Sequence, residues 1–379
     1  MIVLCVTGSV AAVETIKLAR EFRRQGFEVQ PFLSENGKNI IHPNALEFAC
    51  GKGVITHITG MIEHIKYADV DLILVAPATA NIISKFRYKI ADDHISSLLI
   101  VAQGHDTPIL FVPSMHETMY KTISENIKEL KSEGIHFFEP KLNEGHAKFP
   151  NKHDIVLESL KLTSNRELNG KNILISIGRT IEHIDPIRVI SNESTGKMGL
   201  EIIKEGYKQG ANLTVISGKV DIEFPKMIDV IKVDNSEQMS EEIKKQLKTN
   251  DAFISVAAVS DFIPKSYDKK ISSKNSISVE FMPAEKIIEK VKDISPTVFL
   301  VGFKAEHNLS DEELINKGRK QINKSKSDLV VVNDTGRVSN SGLDRSYAIL
   351  VNENSHENIG FISKKDLAHK IFNELSKKI

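Results

Sequence analysis

Residues 1–33, MIVLCVTGSVAAVETIKLAREFRRQGFEVQPFL, have the pattern of a βαβ unit. Residues 1–6 form a short apolar run rich in β-branched side chains, and Gly8 and Ser9 follow it as a turn. An amphipathic stretch then extends to Gly26, and residues 28–33 predict a second strand. Alternation of strands and helices predicts a mostly parallel sheet that helices cover on both faces.

The same order of elements begins again after residue 160. A polar, turn-rich segment, 163–171, predicts a linker, and residues 172–178 (NILISIG) predict another buried first strand. A helix is predicted near 196–209. Further strands are predicted at 72–76, 109–113, 213–217, 252–258, 298–303, 328–333 and 347–351. We therefore expect an α/β protein with two doubly wound, Rossmann-like domains, residues 1–165 and 166–379.

The composition excludes some classes of partner. The chain has 379 residues, with 50 Lys+Arg and 50 Asp+Glu, so the zero net charge removes the general argument for nucleic acid or an anionic membrane. No apolar run reaches the ~18–20 residues of a membrane helix, and the N-terminus lacks a basic region that would indicate a signal peptide. Two cysteines, Cys5 and Cys50, form no disulfide framework, which favours a reducing, cytoplasmic setting.

In open α/β sheets, ligands bind where the strands end at their carboxyl edge, so the loops there are candidate sites. Thr7-Gly8-Ser9, with Ala11, resembles a phosphate or cofactor turn but is not GxGxxG. Ser34, with Glu35 and Asn36, follows the second strand and would offer a hydroxyl and amides to a phosphate, but taken alone it is better explained as a helix N-cap.

Two proline-containing loops, 77–81 (PATAN) and 113–119 (PSMHETM), end apolar strands in the first half. The small side chains of Ala78 and Ala80 would let a flat ring approach the backbone, and Asn81 would bond to its edge. His64 suits proton transfer near neutral pH, although a lone histidine is more often structural.

In the second half, residues 191–199 (SNESTGKMG) open a helix whose free amides, hydroxyls and lysine predict an anion site. The P-loop spacing is absent, because Met198 follows Lys197. Asp261 follows a predicted strand, where a carboxylate would hold Mg²⁺ or a ribose hydroxyl. Segment 264–278, which contains Lys270, predicts a mobile loop.

Taken together, these motifs resemble a bifunctional family of coenzyme A biosynthesis, phosphopantothenoylcysteine decarboxylase fused to phosphopantothenate–cysteine ligase. ISNESTGKMG (190–199) is close to the ligase motif SN-x-S-S-G-K-M-G, and GRTIEHIDPIR (178–188) is similar to G-x-T-x-E-x-I-D-x-V-R. AAVSDF, KISS, VGFKAE and VVND continue in the family's order. TGSVAA, PATAN and PSMHETM resemble flavin-dependent cysteine decarboxylase signatures, so the resemblance spans nearly the whole chain in this domain order.

For the second half, the resemblance implies that CTP and Mg²⁺ activate 4′-phosphopantothenate as an acyl-cytidylate, which the amine of cysteine then attacks. Asn192 matches the family's intermediate-binding residue, and Lys270 matches the lysine that turns the intermediate over. Asp261 is also the implied Mg²⁺ ligand. Nucleotide contacts are implied for Ser255, Val256, Ala257, Asp261, Lys270, Pro283, Ala284, Glu285, Lys286, Phe303, Lys320 and Lys324. The helix alignment leaves Arg319 as an alternative to Lys320, and two lysines one turn apart normally indicate a solvated face.

For the first half, the resemblance implies a flavin-dependent decarboxylase fold that binds FMN. The flavin would oxidise the cysteine thiol to a thioaldehyde, the carboxylate would leave, and the enethiol would be reduced to 4′-phosphopantetheine. His64 matches the active-site base, and His116 stands at a catalytic position. FMN contacts are implied for Gly8, Ser9, Ala11, Ser34, Ala78, Thr79, Asn81, Ser114 and Met115.

Three features depart from bacterial relatives. His116 replaces an Asn that grips the substrate carboxylate, and the segment after His64 is shorter. The flap segment 143–154 contains no Cys, which leaves His146 or Lys148 as candidate substitutes. This pattern is similar to that of archaeal members.

These departures keep an alternative open, in which only the ligase works and the N-terminal half is a flavin-binding, oligomerising module. A flavin prenyltransferase relative is disfavoured, because prenyl transfer needs no nucleotide-activating domain. The resemblance also implies small-molecule substrates (4′-phosphopantothenate, cysteine and CTP) and a homo-oligomer, with dimers of ligase domains and trimers or dodecamers of decarboxylase domains.

Overall fold

The computed structural model describes residues 1–143, 146–273, 276–337 and 345–379, excluding the side chains of 141–143, 146 and 147. It divides into two compact units, Met1–Asn165 and Arg166–Ile379. Each unit has its own sheet and its own buried apolar core.

The first unit is built on a five-stranded parallel sheet with the strand order β2-β1-β3-β4-β6. A smaller sheet has the order β5-β8-β7. The strands are β1 (Ile2–Val6), β2 (Val29–Leu33), β3 (Leu72–Ala78), β4 (Ile109–Pro113), β5 (Met115–His116), β6 (His136–Phe137), β7 (Lys141–Asn143) and β8 (His146–Lys148). The helices are α1 (Thr15–Arg24), α2 (Glu35–Lys38), α3 (Pro43–Cys50), α4 (Glu63–Lys66), α5 (Ala80–Arg87), α6 (His94–Gly104), α7 (Glu117–Thr122), α8 (Ser124–Ser132) and α9 (Lys152–Leu162).

Both faces of this first sheet are buried, which explains why its strands read as continuous apolar runs. All five residues of β1 are buried. Val3 and Cys5 belong to the apolar cluster that includes residues of α5, α6 and α8. Since side chains alternate along a strand, Ile2 and Leu4 face the opposite side.

The second unit is built on an eight-stranded sheet with the order β13-β12-β9-β14-β17-β18-β19-β20. Its strands are β9 (Asn172–Ile177), β10 (Ile181–His183), β11 (Val189–Ser191), β12 (Asn212–Ser217), β13 (Val230–Lys232), β14 (Ala252–Ser255), β15 (Phe262–Pro264), β16 (Phe281–Pro283), β17 (Phe299–Glu306), β18 (Leu329–Asp334), β19 (Arg345–Val351) and β20 (His356–Ser363). Its helices are α10 (Lys197–Lys208), α11 (Ser236–Gln246), α12 (Ile287–Ile294), α13 (Asp311–Ser325) and α14 (Lys364–Ser376).

In the second sheet, neighbouring strands from β13 to β18 pair in parallel, whereas β19 and β20 are antiparallel. Two hairpins, β10–β11 and β15–β16, stand outside it. Along β9, Ile173 and Ile175 contribute to a core with α10 and α14, while Leu174 contributes to another with α11 and α12. Helices therefore cover both faces of this sheet as well.

The structure confirms the α/β class and the predicted strands, and it differs in details. Strand β14 ends at Ser255 instead of 258. The strands without a counterpart in the prediction are β5, β6, β7, β8, β10, β11, β13, β15, β16 and β20. The predicted linker 163–171 contains Leu168, whose side chain is buried in the core of the second unit. Among the described residues, no helix has both the length and the apolar composition that crossing a bilayer requires.

The segment predicted as a mobile loop, 264–278, is anchored at several points of its backbone. The amide of Lys265 donates to Glu280 O at 2.9 Å, and that of Tyr267 donates to Ile184 O at 2.9 Å. Residues 274 and 275 of this segment lie outside the described residues. The prediction overlooked these contacts because they join the segment to residues that are distant in sequence.

Candidate active sites

In the first unit, the loops that follow β1, β3 and β4 are tied together at the carboxyl edge of the sheet. The Thr7 hydroxyl donates to Pro77 O at 2.7 Å and accepts from the Thr79 amide at 3.2 Å. The Ser9 hydroxyl donates to the Ser114 hydroxyl at 3.2 Å. Because β1, β3 and β4 are neighbours in the sheet, residues predicted from three separate motifs meet at one place.

The turn after β1 is closely packed. A Cβ added to Gly8 would lie 2.5 Å from the Cβ of Asn36, so only glycine fits there. Ser34 accepts a hydrogen bond from the Gly37 amide at 3.0 Å and caps α2, as its N-cap explanation predicted. Ala78 is buried at the end of β3, and Ala11 lies in a 3₁₀ helix, Val10–Glu14.

The loop after β4 uses His116 as the N-cap of α7. Its Nδ1 accepts from the Thr118 amide at 3.3 Å and lies 2.8 Å from the Thr118 hydroxyl oxygen. Met115 and His116 pair along the backbone with Ala147 and His146 of β8. The flap segment therefore runs beside this loop.

Three further residues were predicted for this region. The side chain of His146 lies outside the described residues, and Lys148 is exposed. Asn81 is also exposed at the start of α5. The Asn81 side chain is therefore accessible to a ligand from the solvent side of the loop.

His64 lies in α4, and hydrogen bonds to the neighbouring Glu63 hold this segment in place. The Glu63 carboxylate accepts the Thr59 amide at 2.8 Å and the Thr59 hydroxyl, and these bonds lower the pKa of Glu63 to about 2. Ile62 has φ 46°, a strained conformation for a β-branched residue. His64 is half-buried, and its Nδ1 is buried with no hydrogen-bond partner among the described residues. This buried nitrogen is closed to solvent, so any proton transfer by His64 would use its other ring nitrogen, Nε2.

The sequence analysis missed His94 at the start of α6. It is buried, its Nε2 lies 3.1 Å from Leu33 O, and its ring stacks on Phe32. Burial lowers the pKa of His94, so the imidazole is neutral near pH 7 and supports the loop that begins at Ser34.

In the second unit, a cavity of about 940 Å³ opens at the carboxyl edge of the sheet, beside the N-terminus of α10. Most of the predicted ligase residues line it: Asn192, Ser255, Val256, Ala257, Asp261, Glu285, Lys286, Phe303, Lys320 and Lys324. The structure therefore brings together residues from five separate motifs. Lys270, Pro283 and Ala284 are not part of the lining, although the Ala284 amide donates to Asp261 O at 3.0 Å.

The cavity is rich in positive charge. Its lining contains four acidic residues, Glu193, Asp261, Glu285 and Glu289, and seven lysines, Lys197, Lys286, Lys304, Lys317, Lys320, Lys324 and Lys364. This excess of cations beside a helix N-terminus favours a polyanionic ligand. Lys320 lines the cavity and Arg319 does not.

Lys304 and Lys317 were missed by the sequence analysis. Both lie near Glu306, with Nζ to Oε1 distances of 3.6 and 3.3 Å. The signal for Lys317 was its position on α13, one helical turn before Lys320. No comparable signal marked Lys304, because it reaches the cavity from β17.

Asn192 and Asp261 engage protein partners at the edge of the cavity. The Asn192 amide group donates to Val259 O at 3.1 Å and to Ala258 O at 3.3 Å, which ties its loop to the segment after β14. Asp261 forms an ion pair with Lys286. The described residues contain no cluster of three His, Cys, Asp or Glu that is suited to a metal ion.

Lys270 is exposed, and the residue after it is anchored to a buried carboxylate. Asp185 is 2% exposed and accepts from the amide of Ile271. Burial raises the pKa of Asp185, but hydrogen bonds from the amides of Ile271, Ile187 and Arg188 outweigh it and hold that pKa well below its usual range. The hydrogen bond between Ile271 and Asp185 thus restrains the backbone next to Lys270.

Comparison with family models agrees with the division of the chain. Residues 1–164 match the model described as Flavoprotein, and residues 168–379 match that of the DNA/pantothenate metabolism flavoprotein C-terminal domain. A crystal structure of the DNA/pantothenate metabolism flavoprotein from Streptococcus pneumoniae is 25% identical, with a TM-score of 0.50. The similarity covers 55% of this chain and 99% of that chain.

Curated relatives match over almost the full length. The coenzyme A biosynthesis bifunctional protein CoaBC of Thermococcus kodakarensis is 43% identical, covering 99% of this chain and 94% of that protein. The CoaBC protein of Methanocaldococcus jannaschii is 37% identical, covering 99% of this chain and 93% of that protein. Both relatives are archaeal, as the sequence pattern predicted. The chain therefore belongs to the family of bifunctional coenzyme A biosynthesis proteins.

Proposed function

We propose that the second unit is a CTP-dependent phosphopantothenate–cysteine ligase and that the first is an FMN-dependent phosphopantothenoylcysteine decarboxylase. The observation that carries the proposal is the lysine-rich cavity of the second unit, which residues from five ligase motifs line together. The domain boundaries proposed are 1–165 for the decarboxylase and 166–379 for the ligase.

The ligase must convert a carboxylate, which is a poor electrophile, into an acyl-cytidylate. Attack of the 4′-phosphopantothenate carboxylate on the α-phosphorus of CTP releases pyrophosphate, and attack by the amine of cysteine then releases CMP. Lysines of the cavity would neutralise the triphosphate, and the amides at the start of α10 would bind an anionic group. Asn192 would bind the acyl-cytidylate, and Lys270 would promote its reaction with cysteine.

The remaining nucleotide contacts are proposed for residues at the strand ends. The base and ribose would lie against the segments 255–257 and 283–286 and against Phe303, while Lys320 and Lys324 would face the phosphates. Lys286 would exchange its ion pair with Asp261 for the nucleotide. Mg²⁺ would enter bound to the triphosphate, as it usually does where few carboxylates are present, with Asp261 as its one candidate protein ligand.

In the first unit, the tied loops are suited to a flavin. Gly8 has no side chain because Asn36 packs against it, and its turn stands at the carboxyl edge of the sheet, where backbone amides commonly bind a phosphate. Ala11, Ser34, Ala78, Thr79, Asn81 and the pair Ser114–Met115 complete the proposed FMN contacts. Bound FMN would supply reversible oxidation of the cysteine thiol, which makes loss of the carboxylate possible. His64 would move the proton, and His116, as an imidazole in place of an amide, would face the substrate carboxylate.

The alternative, a ligase with an inactive flavin-binding module, is not favoured. The similarity to bifunctional relatives extends over both halves of the chain. We also propose a homo-oligomer, with dimers of ligase units and trimers or dodecamers of decarboxylase units. The two buried free thiols, Cys5 and Cys50, support a reducing, cytoplasmic location.

Mass spectrometry of one reaction tests both halves. Purified protein is mixed with 4′-phosphopantothenate, cysteine, CTP, Mg²⁺ and FMN. The expected product is 4′-phosphopantetheine, together with CMP and pyrophosphate. Accumulation of 4′-phosphopantothenoylcysteine would support the alternative, and the absence of any coupled product would contradict the ligase assignment. Replacing CTP by ATP, or removing Mg²⁺ with EDTA, tests each co-reactant separately.

A further inference from the structure

Three loops of the second unit meet behind one wall of the cavity, and Arg179 joins them. Its Nη1 donates to Ser194 O and, at 3.0 Å, to Asp221 Oδ2, while its Nη2 donates to Asp221 Oδ1 at 3.1 Å. The backbone amide of Asp221 in turn donates to Thr195 O at 3.2 Å. Two consecutive carbonyl groups are therefore held by donors from Arg179 and Asp221.

The direction of these carbonyl groups fixes the direction of the amides that follow them. In a trans peptide, the C=O and N–H bonds of one peptide unit point in opposite directions. Holding Ser194 O and Thr195 O on the side of Arg179 therefore turns the amides of Thr195 and Gly196 to the other side. Within the described part of the chain, neither amide has a hydrogen-bond acceptor, and both residues line the cavity.

The junction is packed closely enough to hold this orientation. Arg179 and Lys219 exchange two backbone hydrogen bonds, of 2.9 and 2.8 Å. A Cβ added to Gly218 would lie 2.4 Å from Arg179 O, and one added to Gly196, whose φ is +81°, would lie 2.6 Å from Cγ1 of Val220. Glycine at both positions thus lets the three loops approach each other without steric conflict.

We propose that Arg179 is a positioning residue of the ligase, which acts through Asp221 and Ser194 to aim the amides of Thr195 and Gly196 at a phosphate of the nucleotide. The inference rests on the proposed ligase function and adds a role for a residue outside the cavity. Since the Asp221 side chain is 54% exposed, the ion pair by itself contributes little to folding. Loss of the ion pair is instead expected to change the orientation of the loop at Ser194 and Thr195 and to weaken binding of the nucleotide.

The test uses the full-length protein and the variants Arg179→Gln, Arg179→Lys, Asp221→Asn and the double variant Arg179→Gln/Asp221→Asn. The matched control is Lys226→Gln, which removes one exposed positive charge of the same unit without touching the junction. Steady-state kinetics give KM for CTP, KM for cysteine and kcat. Calorimetry gives the affinity for CTP and for inorganic triphosphate, and thermal unfolding shows whether each variant is folded.

For Arg179→Gln, KM for CTP is expected to rise about tenfold, with kcat within about twofold, because hydrogen bonds to a bound anion are lost. KM for cysteine is expected to stay unchanged, and the affinity for inorganic triphosphate to fall with that for CTP. Arg179→Lys keeps the charge without the planar fork and is expected to be intermediate. The double variant is expected to bind no more weakly than Arg179→Gln, because both changes remove the same interaction.

The proposal is overturned if Arg179→Gln binds CTP and triphosphate as well as Lys226→Gln does. It is also overturned if kcat falls while KM for CTP is unchanged. Should Arg179→Gln fail to fold, Asp221→Asn and Arg179→Lys decide by the same criteria. A wild-type protein that consumes no CTP would contradict the proposed ligase function, and triphosphate binding would still test the role of Arg179 separately.

Discussion

The buried carboxylate of Asp185 accepts a hydrogen bond of 3.1 Å from the backbone amide of Ile271, 86 residues further along the chain. The same carboxylate accepts from the amides of Ile187 and Arg188, at 2.8 and 2.7 Å. The Arg188 guanidinium group donates to Ile271 O at 3.1 Å. Amide and carbonyl of one peptide position are thus both held, immediately after Lys270.

Replacing Asp185 by Asn is expected to slow turnover of the acyl-cytidylate. An amide accepts fewer hydrogen bonds than a carboxylate, so Ile271 is released and Lys270 loses its fixed position. Since small misplacements of catalytic groups cost up to ~100-fold, we expect kcat to fall ~10–100-fold and the acyl-cytidylate to accumulate. Quenched-reaction mass spectrometry measures the intermediate. Asp268→Asn, an exposed change in the same segment, is the control, and equal kinetics of the two variants would contradict the prediction.

The pH dependence of stability follows from the lowered pKa of Asp185. The folded pKa lies below the unfolded value of about 3.9, so the contribution of this carboxylate is present above about pH 4 and is lost as the pH falls further. Scanning calorimetry between pH 3 and 7 is expected to show this loss as a lower Tm of the second unit at acidic pH. The transition of the second unit is identified by its upward shift when CTP is added. Asp185→Asn is expected to show a shallower decline below pH 4; parallel curves for variant and wild type would refute the assignment.

Replacing His64 by Asn is expected to stop decarboxylation and spare ligation. Removal of a general acid or base costs roughly 10²–10⁴-fold in rate, whereas the ligase residues lie in the other unit. The assay supplies 4′-phosphopantothenoylcysteine directly and measures 4′-phosphopantetheine, with CTP consumption measured in parallel. His57→Asn, an exposed histidine on the same connection, is the control. Decarboxylation by His64→Asn at the control's rate would show that His64 is not the base.

Replacing Lys317 by Gln is expected to raise KM for CTP about threefold to tenfold. Lys317 is a lining residue of the cavity, and its Nζ lies 3.3 Å from the Glu306 carboxylate, so its replacement takes a cation from the proposed triphosphate site and leaves Lys304 as the remaining lysine beside Glu306. Lys290→Gln, an exposed change outside the cavity lining, is the control. A KM for CTP equal to that of the control would exclude Lys317 from the nucleotide site.

Replacing Gly199 by Ala is expected to destabilise the second unit by about 1–3 kcal/mol. A Cβ there would lie 2.7 Å from Cβ and Cγ2 of Ile177, which belongs to β9 and is itself fully buried. Thermal or urea unfolding measures the effect. Gly104→Ala in the first unit is the control, because a Cβ at that position has no atom within 4 Å. Unchanged unfolding of Gly199→Ala would show that α10 is free to move away from the sheet.

Local pattern accounts for much of the fold. Strands β1, β3 and β9 were predictable because both of their faces are buried, so that nearly all of their residues are apolar. Strand β20 was missed, since four of its eight residues are exposed and its sequence contains no long apolar run. The hairpin β15–β16 was missed because each of its strands has three residues and ends in proline, too short a run to predict a strand.

The sequence alone was sufficient to predict two parallel-sheet units, the motifs at their strand ends and the family to which those motifs belong. These features depend on neighbouring residues, whose periodicity and turn chemistry are visible in the chain itself. Three other features depended on how distant loops meet in the folded protein. They are the seven lysines that line one cavity, the hydrogen bond between Ile271 and Asp185, and the hydrogen bond between Arg179 and Ser194. Hydrogen bonds from a side chain to a remote backbone leave no local periodicity, so only the folded arrangement of the strands brings such partners within reach.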